Sequence, residues 1–188
     1  MPRPKSDTRA RILHSARTLL RRQGYHGTGL AQIIELSGAP RGSVYFLFPG
    51  GKEEIAVAAV AGWAEELDAL LAKTRAASPD ARSWIATLAE HFAADLRSSG
   101  FTEGLPVTTV TLDSVPASPA LTTACRSAYE RWLQTMTEGL TAYAVPDART
   151  LALLLLTALE GAAVLCRAYG STAPLDDTAA RLLTLLPR

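Results

Sequence analysis

The sequence predicts an all-α protein of about nine helices, with an N-terminal three-helix helix-turn-helix domain on a C-terminal helical bundle. Apolar residues recur at spacings of three and four along nearly the whole chain. Glycines and prolines stand where helices would stop and start. The composition is that of a soluble globular protein of one or two domains: 188 residues, 48% hydrophobic and 20% charged, with a formal net charge of +1. Folding a chain of this length buries about 70% of its unfolded surface, so no disulfide or metal staple is required.

Taken in order, Ile12, Leu13, Ala16, Leu19 and Leu20 form one apolar helical face, and Gly24 supplies the stop. A second short helix is expected after Thr28, whose hydroxyl would cap it, with Leu30, Ile33 and Ile34 facing inward. Gly38 marks a tight turn, and a third short helix runs from about Pro40 to Phe46 before Phe48-Pro49-Gly50-Gly51 breaks the chain. A longer helix from Lys52 to about Arg75 carries Ile55, Ala59, Trp63, Leu67 and Leu70 on one side. Ser78-Pro79 reads as a cap and first-turn proline for a helix ending at Gly100, and Ser118-Pro119 repeats the device for a helix to about Tyr143. Residues 101–117 are rich in Val and Thr, but a lone strand would lack a partner, so helix is expected. Pro146-Asp147 opens a strongly apolar helix ending at Gly170, and a last helix starts near Pro174. The division into domains is placed at 1–50 and 51–188.

The near-zero net charge conceals an asymmetry. Residues 1–52 hold nine Lys/Arg against Asp7 and Glu35, a net +7, whereas residues 53–188 hold ten basic and sixteen acidic residues, a net −6. A basic first quarter on an acidic remainder is the footprint of a module aimed at a polyanion; an arginine-rich solvated helix is the plainer reading. The basic, polar stretch from Met1 to Arg11 has no apolar core or cleavage site, so a secretory signal is not expected. The most apolar run, Leu151 to Cys166, falls short of the roughly 20 residues of a membrane span. A soluble cytoplasmic protein without a membrane partner is therefore expected.

Three short helices with a glycine turn between the second and third spell helix-turn-helix. The third would present Arg41, Gly42, Ser43, Tyr45 and Phe46 near the end that enters a major groove. Arg41 can reach a guanine edge or a phosphate, and Gly42 permits close backbone approach. Thr28 and Lys52 are candidate phosphate contacts. Phe48 reads as a core aromatic, and Tyr45 is open to either role.

The run GAPRGSVYFLFPGGKEE from Gly38 to Glu54, with the preceding TGLAQIIELSG, resembles the DNA-binding domain of the TetR-type transcriptional repressors. Its Ala-Pro-Arg turn and Pro-Gly-Gly-Lys loop are similar to the branch containing the lincomycin-resistance operon repressors, as are Gly104-Leu-Pro-Val-Thr-Thr-Val and Leu159-Glu160-Gly161-Ala162. The resemblance implies a homodimer that binds a palindromic double-stranded DNA operator and releases it when a small-molecule effector enters the C-terminal bundle. The family usually places His or a similar polar residue two positions after the recognition-helix Tyr; Leu47 stands there instead.

An enzyme is not expected. His14, His26 and His91 have neither metal-ligand spacing nor a recognisable acid–base relay, and no Gly-rich loop follows a strand, so no metal or cofactor is implied. His91 reads as a partly buried structural histidine, and Cys125 and Cys166 as inert packing. Candidate ligand-pocket residues are Trp63, Trp84, Phe92, Phe101, Thr108, Leu112, Tyr129, Trp132, Met136 and Cys166, each of which could equally be core. Their sparse charge favours a neutral or weakly polar ligand. A helix apolar on nearly all faces either fills a bundle or meets another chain. The expected dimer surface is Leu154, Ala158, Gly161, Ala162 and Leu165 with Leu175, Ala179, Leu182 and Leu186 of the last helix. Two other readings stay open: a helical ligand- or partner-binding protein without sequence-specific DNA binding, and a constitutive DNA-binding protein with a filled core.

Overall fold

The computed structural model describes residues 5–187, and Arg3 of the basic set lies outside them. Nine α-helices follow one another among the described residues: α1 (Lys5–Gly27), α2 (Leu30–Ser37), α3 (Arg41–Leu47), α4 (Gly51–Ala77), α5 (Ala81–Ser98), α6 (Pro106–Ser114), α7 (Pro119–Ala142), α8 (Ala148–Tyr169) and α9 (Ala173–Leu183). No strand occurs among them, and the Val/Thr-rich stretch is helix α6.

The chain forms two compact units whose boundary differs from the expected division after residue 50. One contains α1–α3, α4 through Trp63, α6, and α7 through Ala128; the other contains the rest of α4 and α7 with α5, α8 and α9. Sequence periodicity marks helices but not the point along a continuous helix at which its neighbours change. For that reason the split inside α4 and α7 left no local trace.

The first unit is built on a core of Ile12, Ala16, Ile33, Ala39, Val44, Phe48 and Ile55, all buried, with Leu13, Leu19, Leu30, Ile34 and Leu47 packed against it. Gly24 interrupts α1 with φ 72° and ψ −175°, a conformation essentially confined to glycine. A Cβ there would meet the Asp113 carboxylate of α6 at 2.8 Å, and the same carboxylate accepts the His26 backbone N–H at 2.5 Å. Thr28 does not cap α2. Its hydroxyl is fully buried and donates to the Gly24 carbonyl at 2.7 Å, while Gln32 reaches back to accept the Gly29 N–H at 2.8 Å.

In the second unit, α8 packs one face, including Leu155, Leu159, Ala162 and Cys166, against α5 and α9. The helix has 22 residues and is apolar and long enough to cross a membrane, contrary to the expectation from Leu151–Cys166 alone, which omitted its terminal turns. The start of α5 also shifts: Asp80, not Ser78, is the cap, accepting the Ser83 N–H at 2.7 Å, and this hydrogen bond holds its carboxyl below the usual range. Around α7 the expectation and the structure agree, with the Ser118 hydroxyl accepting the Leu121 N–H at 3.1 Å ahead of Pro119.

Candidate nucleic-acid interface and ligand cavity

Core packing and one hydrogen bond fix how α2 and α3 are presented. The Arg11 guanidinium donates to the Ser37 carbonyl at 2.6 Å, tying α1 to the last turn of α2. Gly38 then takes the left-handed conformation, φ 58° and ψ 21°, and its N–H bonds the Glu35 carbonyl to close the helix. Pro40 is the N-cap of α3, so Arg41 is the first helical residue. Val44 and Phe48 point inward and are buried. Arg41, Gly42, Tyr45 and Phe46 are exposed on the opposite side, and Ser43 is half-buried between them.

This exposed face is what a groove-reading helix needs. Phe46 is 70% exposed, and the Arg41 guanidinium lies 5.8 Å from the centre of the Tyr45 ring. Tyr45 is thus a surface residue rather than a core aromatic. A Cβ at Gly42 would meet nothing within 4 Å, so the chain itself does not require glycine there. Leu47, which departs from the polar residue usual at this position in the resembled family, is half-buried against the core. Phe48 takes the core place expected of it, with the Arg9 guanidinium 5.3 Å from its ring centre.

The two candidate phosphate contacts outside α3 have other partners. Thr28 is buried and engaged with Gly24, which removes its hydroxyl from any outside anion. The Lys52 ammonium donates to the Tyr25 carbonyl at 3.0 Å and sits 4.1 Å from the centre of the Tyr25 ring, bracing the start of α4 against the end of α1. An ammonium has three donors, so this brace leaves two for a phosphate.

The second unit contains a cavity of about 20 Å³ lined by Leu67, Leu71, Leu88, Phe92, Leu105, Trp132, Met136, Leu156, Leu159 and Glu160. Of the ten expected ligand residues, only Phe92, Trp132 and Met136 line it. Trp63, Thr108 and Leu112 belong to the other unit, and Leu112 is 77% exposed. Trp84 is core: its indole N–H donates to the Thr74 hydroxyl at 3.1 Å, and a side chain at Gly139 would overlap its ring. Cys166 is buried outside the cavity wall, and burial pushes its thiol up. Phe101 is half-buried at positive φ, with its carbonyl accepting from Arg167. Tyr129 stacks edge-on against Trp132 without reaching the cavity. His91 is exposed rather than partly buried. The leucines of the wall were legible as core positions, but nothing local distinguished core from cavity lining. Glu160 had a sequence signal, an acid inside the most apolar stretch.

The expected dimer surface divides as well. Leu154, Gly161 and Leu165 are exposed, and Ala158 is half-buried. Ala162, Leu175, Ala179, Leu182 and Leu186 are buried within the chain, because the apolar stripe of α9 is used against its own unit. Leu153, Val164 and Tyr169, not anticipated, extend the exposed apolar face of α8.

Comparison with known proteins matches both parts of this arrangement. Residues 12–59 match the family described as bacterial regulatory proteins, tetR family, and residues 81–181 match the family described as transcriptional regulator LmrA/YxaF-like, C-terminal domain. The HTH-type transcriptional regulator LmrA of Bacillus subtilis is 33% identical over 184 residues, which covers 97% of this chain and 98% of that protein. A TetR-family regulator from Agrobacterium tumefaciens has the same fold, with a TM-score of 0.88 at 18% identity over 98% of this chain and 100% of the other. The TetR-family regulator CifR, solved with a 26-bp double-strand operator DNA, has a TM-score of 0.84 at 24% identity with full coverage of both chains. The family consists of transcriptional regulators rather than enzymes. The chain belongs to the TetR family of DNA-binding transcriptional regulators, within its LmrA/YxaF-like branch.

Proposed function

We propose that this regulator is a cytoplasmic repressor that binds a palindromic operator as a homodimer and releases it when a small apolar molecule enters the cavity of the second unit. The observation that carries the DNA-binding part is the exposed face of α3. Phe46, Tyr45 and Arg41 stand in water on a helix whose other side is anchored by Val44, and Gly42 leaves room for an approaching backbone. Two copies would read half-sites about 34–36 Å apart, one helical turn of DNA.

The dimer reading rests on α8. Leu153, Leu154, Val164 and Leu165 form an exposed apolar stripe around Gly161, where nothing lies within 4 Å of a built Cβ. Small residues flanked by leucines suit close approach of a second helix, and burying such a stripe is favourable by about 25 cal/mol per Å².

The ligand reading follows from the cavity's size. At about 20 Å³ it holds about one water, against the roughly 300–1,000 Å³ of a site for a drug-sized ligand. A ligand must therefore push apart walls drawn from α4, α5, α7 and α8. It shifts the equilibrium only by its differential affinity for the opened form: a 100-fold preference corresponds to about 2.7 kcal/mol. The tightness of the cavity also favours a second reading, a constitutive DNA binder whose core stays closed.

Selection from a random duplex pool with the purified protein tests the main proposal. An inverted repeat should be enriched, and compounds that raise the melting temperature should weaken its binding. Failure to enrich any sequence overturns operator recognition. Stabilising compounds that leave operator affinity unchanged favour the constitutive binder.

A further inference from the structure

We propose that Phe46 is a specificity-determining residue of α3 and reads the 5-methyl group of one thymine in each operator half-site. The inference deepens the operator-binding reading by naming the chemical group recognised, and it rests on that reading.

Phe46 is the most exposed apolar side chain of α3, at 70% against 46% for Tyr45. The core does not need its ring: Val44 and Phe48 already fill the inner side of this segment and are buried. Gly42 and Phe46 stand four residues apart and share one stripe of the helix, as Arg41 and Tyr45 share the next. The two stripes differ in chemistry. Arg41 keeps its guanidinium 5.8 Å from the Tyr45 ring centre, so that stripe offers charged donors and a hydroxyl. Gly42 offers no side chain, and a Cβ built on it would meet nothing within 4 Å. An open step followed one turn later by a ring lets the helix sink toward the base edges until Phe46 bears on them.

The chemistry of the ring fixes what it can read. A phenylalanine side chain has neither donor nor acceptor, so covering a phosphate or a polar base edge with it costs hydration and returns no hydrogen bond. The floor of the major groove carries one apolar substituent, the thymine 5-methyl; the other distinguishing groups are donors and acceptors. A ring seated on that methyl removes apolar surface of both from water, whereas a cytosine at the same position presents an amino group. Arg41 and Phe46 therefore read different groups from one helix.

Deoxyuridine decides the matter, because it differs from thymidine only by that methyl. The operator enriched by selection is resynthesised with deoxyuridine at each thymine position in turn, symmetrically in both half-sites. Each duplex is titrated with the full chain at about 50 mM salt, where phosphate contacts keep weakened pairs measurable. Substitution at one position should cost about fourfold per half-site and about 15-fold over both, the worth of one buried methyl. Phe46→Ala should bind the thymine operator more weakly by at least that factor and no longer distinguish it from the deoxyuridine duplex. Phe46→Leu, still apolar, should keep part of the preference. A parent protein indifferent to every deoxyuridine substitution overturns the proposal and leaves operator binding intact. A preference undiminished in Phe46→Ala also overturns it, since another residue then reads the methyl. Failure to enrich any operator overturns the proposal and the operator reading together.

Discussion

Helices α3 and α8 both leave large apolar side chains in water, but those side chains keep different company. On α3, Tyr45 and Phe46 share their face with Arg41 in the basic part of the chain, and no acidic residue lies between Glu35 and Glu53. On α8 the exposed Leu153, Leu154, Val164 and Leu165 surround Thr157 and Gly161, with no charged residue between Thr150 and Leu159. Exposed apolar area alone marks a binding surface without saying for what. The neighbouring charge separates a surface suited to a polyanion from one suited to a second protein surface.

The largest expected effect follows from that difference. If two copies of the basic module make about 6–10 phosphate contacts, operator affinity should fall about 10³–10⁵-fold between 50 and 200 mM salt, whereas association through α8 should hardly change. Titration of both equilibria against salt checks this; equal salt dependence would erase the contrast. Next in size, Gly161→Arg should convert the proposed dimer to a folded monomer, since the new side chain projects into open space within the chain. Sedimentation equilibrium decides it, and a dimeric variant would remove α8 from the interface.

Arg41→Ala should cost about 1–3 kcal/mol per half-site if Arg41 reads a guanine edge, with relaxed preference at that base pair. A uniform loss across all sequences would make Arg41 a phosphate contact, and unchanged binding would exclude it from the interface. Competition assays on single-base operator variants separate these outcomes.

Much of this was legible in the sequence because it is local. Helix periodicity, the turn at Gly38, the inward Ile33 and Phe48 and the α3 face all depend on residues within a few positions of one another. The reach-back of Gln32 to Gly29 also has a local signal, a glutamine at capping-box spacing three residues after the cap. The Asp113 carboxylate under Gly24, 87 residues from the His26 N–H it accepts, had none. The inward turn of Leu175, Ala179, Leu182 and Leu186 had none either, because an amphipathic stripe does not say whether its cover comes from its own chain. The cavity was hardest to foresee, since a leucine lining a void and a leucine in solid core follow the same pattern.

The half-buried acid of α8, Glu160, gives a smaller, pH-dependent test of the contrast between its two faces. Folded Glu160 holds its proton to about pH 7 against an ordinary value of 4.5, so between those values the native state binds more protons than the unfolded one. Stability from this group is therefore present below pH 4.5 and lost as pH rises through 7. The side chain keeps some exposed area, which screens part of the penalty. E160Q should therefore stabilise the protein at pH 8 by on the order of 1–2 kcal/mol and flatten the slope between pH 5 and 8. Denaturant melts at the two pH values measure it; an unchanged slope would show that water reaches the carboxyl freely.

The smallest effect on operator binding concerns the edge of the basic surface. Position 28 combines a hydroxyl, a helix start and a basic neighbourhood, the features of a phosphate contact, yet the structure buries the side chain completely and spends its hydroxyl on the Gly24 carbonyl at 2.7 Å. Gly24 is where α1 breaks, so this hydrogen bond holds the turn that leads into α2. Thr28→Val keeps the shape and removes the donor. It should lower stability by about 1–3 kcal/mol, the cost of leaving a buried acceptor without its donor. The salt slope of operator binding should stay as it was, because that slope counts phosphates neutralised by Lys and Arg, and binding at saturating stability should change by less than the Arg41→Ala loss. Chemical denaturation paired with binding at two salt concentrations gives both quantities. A variant as stable as the parent but weaker on DNA by a full hydrogen bond would return Thr28 to the interface and extend the α3 surface to the start of α2.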